Sequence, residues 1–380
     1  MTTGLVWHEK FAWYDFGSSA HALSDNEFIQ PGTVVESPES KRRIVNLLDA
    51  LGLLEQLRRV KPEIATRDDL LRVHSEAYID RVEQLSRDSG GFPGPGVTLP
   101  KHGYEIAALS AGGAKSAIEA VLDRRVDNAY AVVRPPGHHA ERDTGMSLCV
   151  FNNIAVAVEA AIQRGLVNRV AIVDWDAHHG NGTESIFYHR SDVLTLSIHQ
   201  DQMIPGRGLV GHRGEGDGTG FNVNIPLPPG CGTGAYLAAM ERVIVPKLQW
   251  FRPDLIVVAS GLDASMNDPT ARMLLTPESY RQMARVIKRA AQALCEGRLV
   301  MVHEGGYEPT AAPFCALAII EEMSGIKSRI PAGGDPFETS FGALTSAYQP
   351  LQEHQARFIE RAQEAALKGG GPSGVQSSRD

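Results

Sequence analysis

Residues Arg169–Thr183 read RVAIVDWDAHHGNGT. An apolar run from Val170 to Val173 gives way abruptly to Asp174, Asp176, His178, His179 and Asn181. A run this short, closed by a glycine-bearing polar segment, predicts a strand buried on both faces, Arg169–Asp174. Four more runs of the same kind are predicted as strands: Ala129–Arg134, Val193–His199, Leu255–Ser260 and Leu299–His303. Between them, helical patterns lie near residues 103–123, 152–164, 234–250 and 277–295. The last carries a start signal, with Thr276 as N-cap and Pro277 at the first helical position. Alternation of the two element types predicts an α/β protein with a parallel sheet covered by helices.

The rest of the chain sets bounds on this core. Its 380 residues are 43% hydrophobic and 22% charged, ample for one large core. No linker separates two cores, so a single domain over residues 1–367 is expected, with 368–380 (KGGGPSGVQSSRD) as a disordered tail. Phe16–Ser40 and Ser86–Pro100 read as long loops; SGGFPGPG in the second resists any regular element. Asp201–Gly220, with seven glycines, reads as irregular. With 37 basic and 45 acidic residues the net charge is −8, which argues against generic nucleic-acid or anionic-membrane binding. No apolar run approaches the ~20 residues of a spanning helix. The start, MTTGLVWHEK, lacks a basic segment followed by an apolar one, so no signal peptide is expected. Cys149, Cys231, Cys295 and Cys315 are far apart and form no CxxC pair, which predicts neither disulfides nor a zinc ribbon and points to the cytoplasm.

In parallel sheets of this kind, ligands bind at the carboxyl ends of the strands. Five predicted strand ends in succession carry polar residues: PPGHHA with His138 and His139, DWDAHHGNG, SIH with Ser197, GLDASMND with Asp263, and HEGGY with Tyr307. Asp176 and His178, one residue apart, point the same way from an extended segment. Alone, such a pair reads more readily as an N-cap beside a core histidine. With Asp263 as a third donor, it reads as a metal site of two carboxylates and one imidazole, with a position left open for water. Zinc suits that set, as do ferrous iron and cobalt. The His138–His139 pair, weak as a dipeptide, gains meaning after a strand and PPG. One imidazole could carry the proton between water and a leaving amine while the other stabilises charge. Tyr307, after two glycines, could swing inward and donate to a developing oxyanion. His179 alternates away from His178 and reads as buried structure; His189, His199 and His303 read as structural or surface residues.

Taken together and in this order, PPGHHA, DWDAHHGNGT, LSIH, GLDAS and EGGY resemble the zinc-dependent histone deacetylase superfamily. The resemblance is to its class II branch and the bacterial histone deacetylase-like amidohydrolases, and it runs from His74–Ile79 to about Glu322. It implies the arginase/deacetylase fold, one domain around an eight-stranded parallel sheet. It implies one zinc ion on Asp176, His178 and Asp263, His139 as general base and acid, and His138 as its electrostatic partner. Asp174 would orient His138, Asn181 would face His139, and Tyr307 would polarise the acyl carbonyl. A structural potassium ion is implied at Asp174, Asp176, His178, Ser197 and the Ile198 carbonyl. A second is implied at the carbonyls of Phe187, Arg190, Val193 and Phe221. The implied substrate tunnel includes Leu148, Ile204 and Gly306.

Departures from the family pattern fall at the tunnel. Leu148 and Ile204 stand where two phenylalanines usually sandwich the acyl-lysine stem. Pro95 stands near the position of an aspartate that grips the substrate backbone. The expected activity is zinc-dependent hydrolysis of acetyl or related acyl groups from the amine of lysine or a lysine-like compound. An acetylpolyamine amidohydrolase comes second, because SGGFPGPGVT offers no carboxylate for a cationic amine, although the loop with Asp15 and Asp25 could. A ureohydrolase is discounted because GLDASMND lacks the paired DxD of a two-metal site. A non-catalytic acyl-lysine-binding scaffold is the remaining alternative, and it would not need a proton shuttle. No nucleic-acid or membrane partner is expected, and the related bacterial enzymes imply a homo-oligomer, a dimer or tetramer.

Overall fold

The computed structural model describes residues 1–17, 32, 34–330, 335–337 and 346–368. In chain order the elements are β1 (Thr3–Val6), α1 (Pro38–Ala50), β2 (Arg58–Val60), α2 (Arg67–Leu71) and α3 (Glu76–Arg87). Next come a hairpin of β3 (Gly91–Gly94) and β4 (Val97–Leu99), then α4 (Gly103–Leu122), β5 (Asn128–Ala131) and α5 (Asn153–Gln163). After these follow β6 (Val170–Asp174), α6 (Asn181–Phe187), β7 (Val193–Gln200), β8 (Asn222–Leu227), α7 (Thr233–Ala239) and α8 (Val245–Phe251). The chain continues through β9 (Leu255–Ser260), α9 (Pro277–Cys295), β10 (Leu299–His303), α10 (Ala312–Ser324) and α11 (Glu353–Leu367).

Eight strands form one sheet in the order β2-β1-β5-β10-β9-β6-β7-β8, every neighbouring pair parallel. The five strands predicted from apolar runs are its five contiguous central strands. Those left unpredicted lie at its margins: β1 and β2 on one side, β8 on the other. Their sequences explain the omission. RRV is exposed at two of its three residues, TGLV is four residues long, and NVNIPL alternates polar with apolar over its first four residues. Central strands instead alternate between two buried faces. Tyr130, Ala171, Val173, Leu194, Leu196, Ile256, Val258 and Met301 pack with α1, α9, α10 and α11. Ala129, Ala131, Val170, Ile172, Leu255, Val257, Val300 and Val302 pack with α3, α4 and α5.

Strand order is what assembles the site. β6 does not pair with β5; the later strands β9 and β10 fill the space between them. Residues from four distant parts of the sequence therefore meet at one end of the sheet.

Helix boundaries match the periodicity to within a few residues. At α9 the expected cap is present, Thr276 and Ser279 bonding each other's backbone N–H. The predicted helix over 234–250 is α7 and α8 joined by a π turn at Met240–Ile244. The two loop expectations need correction. Pro38–Ser40 open α1 with Ser37 as N-cap, and residues 18–31 and 33 lie outside the described residues. SGGFPGPG is largely hairpin, since Pro95 and Gly96 make the turn and Gly96 takes the positive φ (+68°) such a turn requires. Proline at 93 is tolerated because only one edge of this two-stranded ribbon is paired. Residues 369–380 of the expected tail also lie outside the described residues. All four cysteines are free and buried. Among the described residues no helix is long and apolar enough to cross a membrane.

Candidate metal centre and active site

The loop after β6 is wound by its own carboxylates. Asp174 Oδ1 accepts from Asp176 N–H at 3.0 Å, and Asp176 Oδ1 accepts from His178 N–H at 2.8 Å. Asp263, beyond β9, accepts from Ala177 N–H at 2.8 Å and ties the two loops together. Beyond β10, Gly305 donates its N–H to Asp176 Oδ2 at 2.9 Å. Only glycine fits there: a Cβ would stand 2.4 Å from Asp263 Oδ2 and 2.7 Å from Asp176 Oδ2.

These bonds aim three donors at one point. Among the described residues, Asp176, His178 and Asp263 form a group whose ligand atoms lie within 4.8 Å of one another. His178 Nδ1 stands 2.8 Å from Asp263 Oδ2 and 3.2 Å from Asp176 Oδ1. Both carboxylates are fully buried, and their ion pairs are with His138 and His178 rather than with lysine or arginine. Burial together with the Asp176 charge pushes Asp263 up to about 7. Two buried carboxylates in such proximity call for a cation, and a hard–borderline O,O,N donor set fits zinc.

Two imidazoles flank this point with different partners. His138 Nδ1 faces Asp174 Oδ2 at 3.0 Å, and His139 Nδ1 faces Asn181 Oδ1 at 2.8 Å. Burial works against the charged form of His138, but Asp176 and Asp174 outweigh it and bring the imidazole up to about 10. His139 has no carboxylate partner, and burial with the charges of His138 and His178 holds it well below the usual histidine range. The pair thus splits into an imidazole drawn toward the charged form and one drawn toward the neutral form. Tyr307 is buried beside the same carboxylates; burial and the charges of Asp263 and Asp176 push its phenol well above its usual value.

The remaining expected residues fall in three places. Ser197 lies opposite Asp174 in the β6–β7 register, beside a small cavity that Asp174, His179, Thr183 and Glu184 also line. Ile198 follows it on β7; Phe187 closes α6, Val193 opens β7, and the Phe221 carbonyl accepts from Thr195 N–H. Arg190 N–H donates to the Phe187 carbonyl. At the rim, Leu148 is half-buried with a left-handed backbone (φ +73°), and its N–H donates to Gly96 O of the hairpin turn. Ile204 is 71% exposed, and Gly306 is buried with φ +119°. His179 turns away to Glu184, as its alternation suggested, and His199 and His303 are buried in the sheet. His189 is exposed.

Several contributors carried no signal in the sequence. Glu304 accepts from the N–H groups of Gly137 and His138, at 2.7 and 3.1 Å, and so fixes the backbone under the histidine pair. Asp268 accepts from Tyr307 N–H at 2.8 Å. Lys41, fully buried, donates to Gly306 O at 3.3 Å and lies 5.0 Å from the Tyr307 ring centre. Glu141 bonds Asn181 Nδ2 at 2.7 Å. A carboxylate directly after HHA is the one hint of the last; the others depend on folding partners up to 265 positions away.

Comparison with known proteins shows what the whole chain is similar to. The histone deacetylase domain family matches residues 34–323. A histone deacetylase-like amidohydrolase of Pseudomonas aeruginosa is 48% identical over 332 residues, covering 86% of this chain and 87% of that protein. A probable deacetylase of Archaeoglobus fulgidus is 38% identical over 331 residues, with 86% and 87% covered. Among solved structures, the HDA15 HD domain superposes with a TM-score of 0.83 at 26% identity, over 97% of this chain and 94% of that one.

Proposed function

Since this chain belongs to the histone deacetylase family and carries its deacetylase/amidohydrolase function, we propose that it uses zinc to hydrolyse acyl amides of lysine-like side-chain amines. The observation that carries this reading is the convergence of Asp176, His178 and Asp263 beside two imidazoles of opposite charge preference. Zinc held by those three residues would supply Lewis acidity toward the acyl oxygen and lower the pKa of water.

The chain's own residues do the rest. His139 donates Nδ1–H to Asn181, which leaves Nε2 as the acceptor for a proton from water. The same nitrogen then returns that proton to the departing amine. His138, charged and anchored on Asp174, stabilises negative charge developing on the substrate. Tyr307 donates its phenol hydrogen to the acyl oxygen, its main chain held by Asp268. Potassium ions, as the family resemblance implies, would be held by Asp174 and Ser197 and by the Phe187–Phe221 carbonyls, and would supply positive charge there. The four free, buried cysteines are consistent with work in a reducing cytoplasm.

A lysine-like amine is favoured over a polyamine by the rim. The hairpin GFPGPGVTL contains no carboxylate, and Glu141 is already paired with Arg207. Asp15 is exposed, and Asp25 lies outside the described residues. The test is amine release by the zinc-loaded protein from an acetyl-lysine peptide, acetylputrescine and acetylspermidine. Faster peptide turnover is expected. Preference for the polyamines would replace the lysine reading, and zinc binding with no turnover of any acyl amide would turn the chain into a binding scaffold.

A further inference from the structure

An asparagine amide can face an imidazole in two ways, and only one of them makes a base. With Asn181 Oδ1 toward His139 Nδ1, as observed at 2.8 Å, that nitrogen carries the hydrogen and Nε2 is free to accept a proton. Reversed, the amide would donate to Nδ1, the hydrogen would move to Nε2, and the ring would present a donor to water. The choice is therefore made on the far side of Asn181. There Nδ2 meets three acceptors: Glu141 Oε1 at 2.7 Å, the His139 carbonyl at 3.3 Å and Met146 Sδ at 3.4 Å. Reversal would set the amide oxygen against a carboxylate oxygen.

We propose that Glu141 is a positioning residue which, through Asn181, locks His139 in the tautomer that serves as base. This rests on the reading of His139 as the proton carrier. The backbone of Glu141 is itself fixed: its N–H donates to Thr144 O at 2.9 Å, and its carbonyl meets His74 Nδ1 at 2.9 Å. Its Oε1 also accepts from Arg207 Nη1 at 2.5 Å. Arg207 sits three residues beyond Ile204, in the glycine-rich segment at the rim. One carboxylate oxygen thus joins the rim segment to the base, and a substrate that shifts Arg207 acts on the orientation of His139.

The test uses zinc-loaded full-length protein with Glu141→Ala and Glu141→Gln, each alone and combined with Asn181→Asp. Glu141→Ala is expected to lower kcat about 10- to 100-fold, the usual loss when a partner behind a metal-site ligand or base is removed, with KM little changed. Glu141→Gln keeps an acceptor for Asn181 and recovers most of the loss. In the Asn181→Asp background the effect changes sign: aspartate accepts from His139 in either orientation, so removing the facing Glu141 carboxylate raises kcat. A second readout needs no turnover. The hydrogen-bonded Nδ1–H resonance of His139 in 15N-histidine-labelled protein, assigned by its loss in His139→Ala, should persist in Glu141→Gln and shift or vanish in Glu141→Ala. Equal losses from both substitutions in both backgrounds would make Glu141 a mere anchor for Arg207. An Nδ1–H signal untouched by Glu141→Ala would overturn the proposal outright. A wild type that turns over no acyl amide would instead refute the deacylase reading, with the resonance still deciding the orientation.

Discussion

A buried imidazole takes its role from whatever faces its other nitrogen. His138 and His139 are adjacent in sequence, with ring centres 4.0 Å apart and planes tilted by 47°, yet one faces a carboxylate and the other an amide. The first is drawn toward the charged form and the second toward the neutral form, which is the division hydrolysis of an amide needs. Tyr307 adds the third group. Its phenol stays protonated, because burial and two carboxylates oppose its ionisation, so it is a donor throughout the working pH range. Tyr307→Phe should cut kcat by roughly 10²–10³ while zinc affinity holds, the usual loss for one oxyanion donor. Turnover near the wild-type rate would remove Tyr307 from the mechanism. Asp176 and His178 could be read from sequence because their spacing at one strand end sets their direction, and the histidine pair because it follows another strand and PPG. Glu304, Asp268 and Lys41 could not, since each acts on a backbone group 39 to 265 positions away.

At the level of elements, the active-site end of the sheet is fastened to the N-terminal segment by charge. Glu36, just before α1, pairs with Lys41 on α1 at 2.8 Å and with Arg134, beyond β5, at 2.7 Å, all three essentially without exposure. Arg134 also donates to the carbonyls of Phe11 and Tyr14. Burial alone would raise the Glu36 carboxyl, but Arg134 and Lys41 outweigh it and bring it down to about 2 from an ordinary 4.5. A carboxyl depressed on folding contributes stability that is present above its unfolded value and is lost as pH falls through the folded one. Denaturant midpoints of the wild type should therefore drop between pH 4.5 and pH 2. Glu36→Gln should be less stable by about 3–5 kcal/mol at neutral pH, with two buried cations left unbalanced, and flatter across the acid window. Equal acid slopes in the two proteins would show that Glu36 does not carry this term. None of this was legible in the sequence, where Glu36 sits in a polar stretch that reads as loop. The central strands were legible because both of their faces are buried. The hairpin was not, because its glycines and prolines are turn formers whose pairing depends on Ser147 and Leu148 bonding Pro95 O and Gly96 O.

For the whole molecule, the sheet order has an energetic consequence. Inserting β9 and β10 between β5 and β6 brings Asp263 against Asp176 in the interior, a cost the fold bears before any ligand arrives. A cation binding only the folded chain repays that cost by mass action. At free zinc one hundred times its dissociation constant the gain is about 2.7 kcal/mol. Spread over the unfolding entropy of a chain this long, that raises Tm by about 3 °C. Chelation should lower Tm by the same amount, and the zinc response should vanish in Asp263→Ala, whatever that variant's own baseline. The response should also weaken as pH falls, because protons compete for His178 and both carboxylates. A Tm indifferent to zinc in the wild type would mean that the Asp176–His178–Asp263 group is held together by its own protons, with His178 as the resident cation.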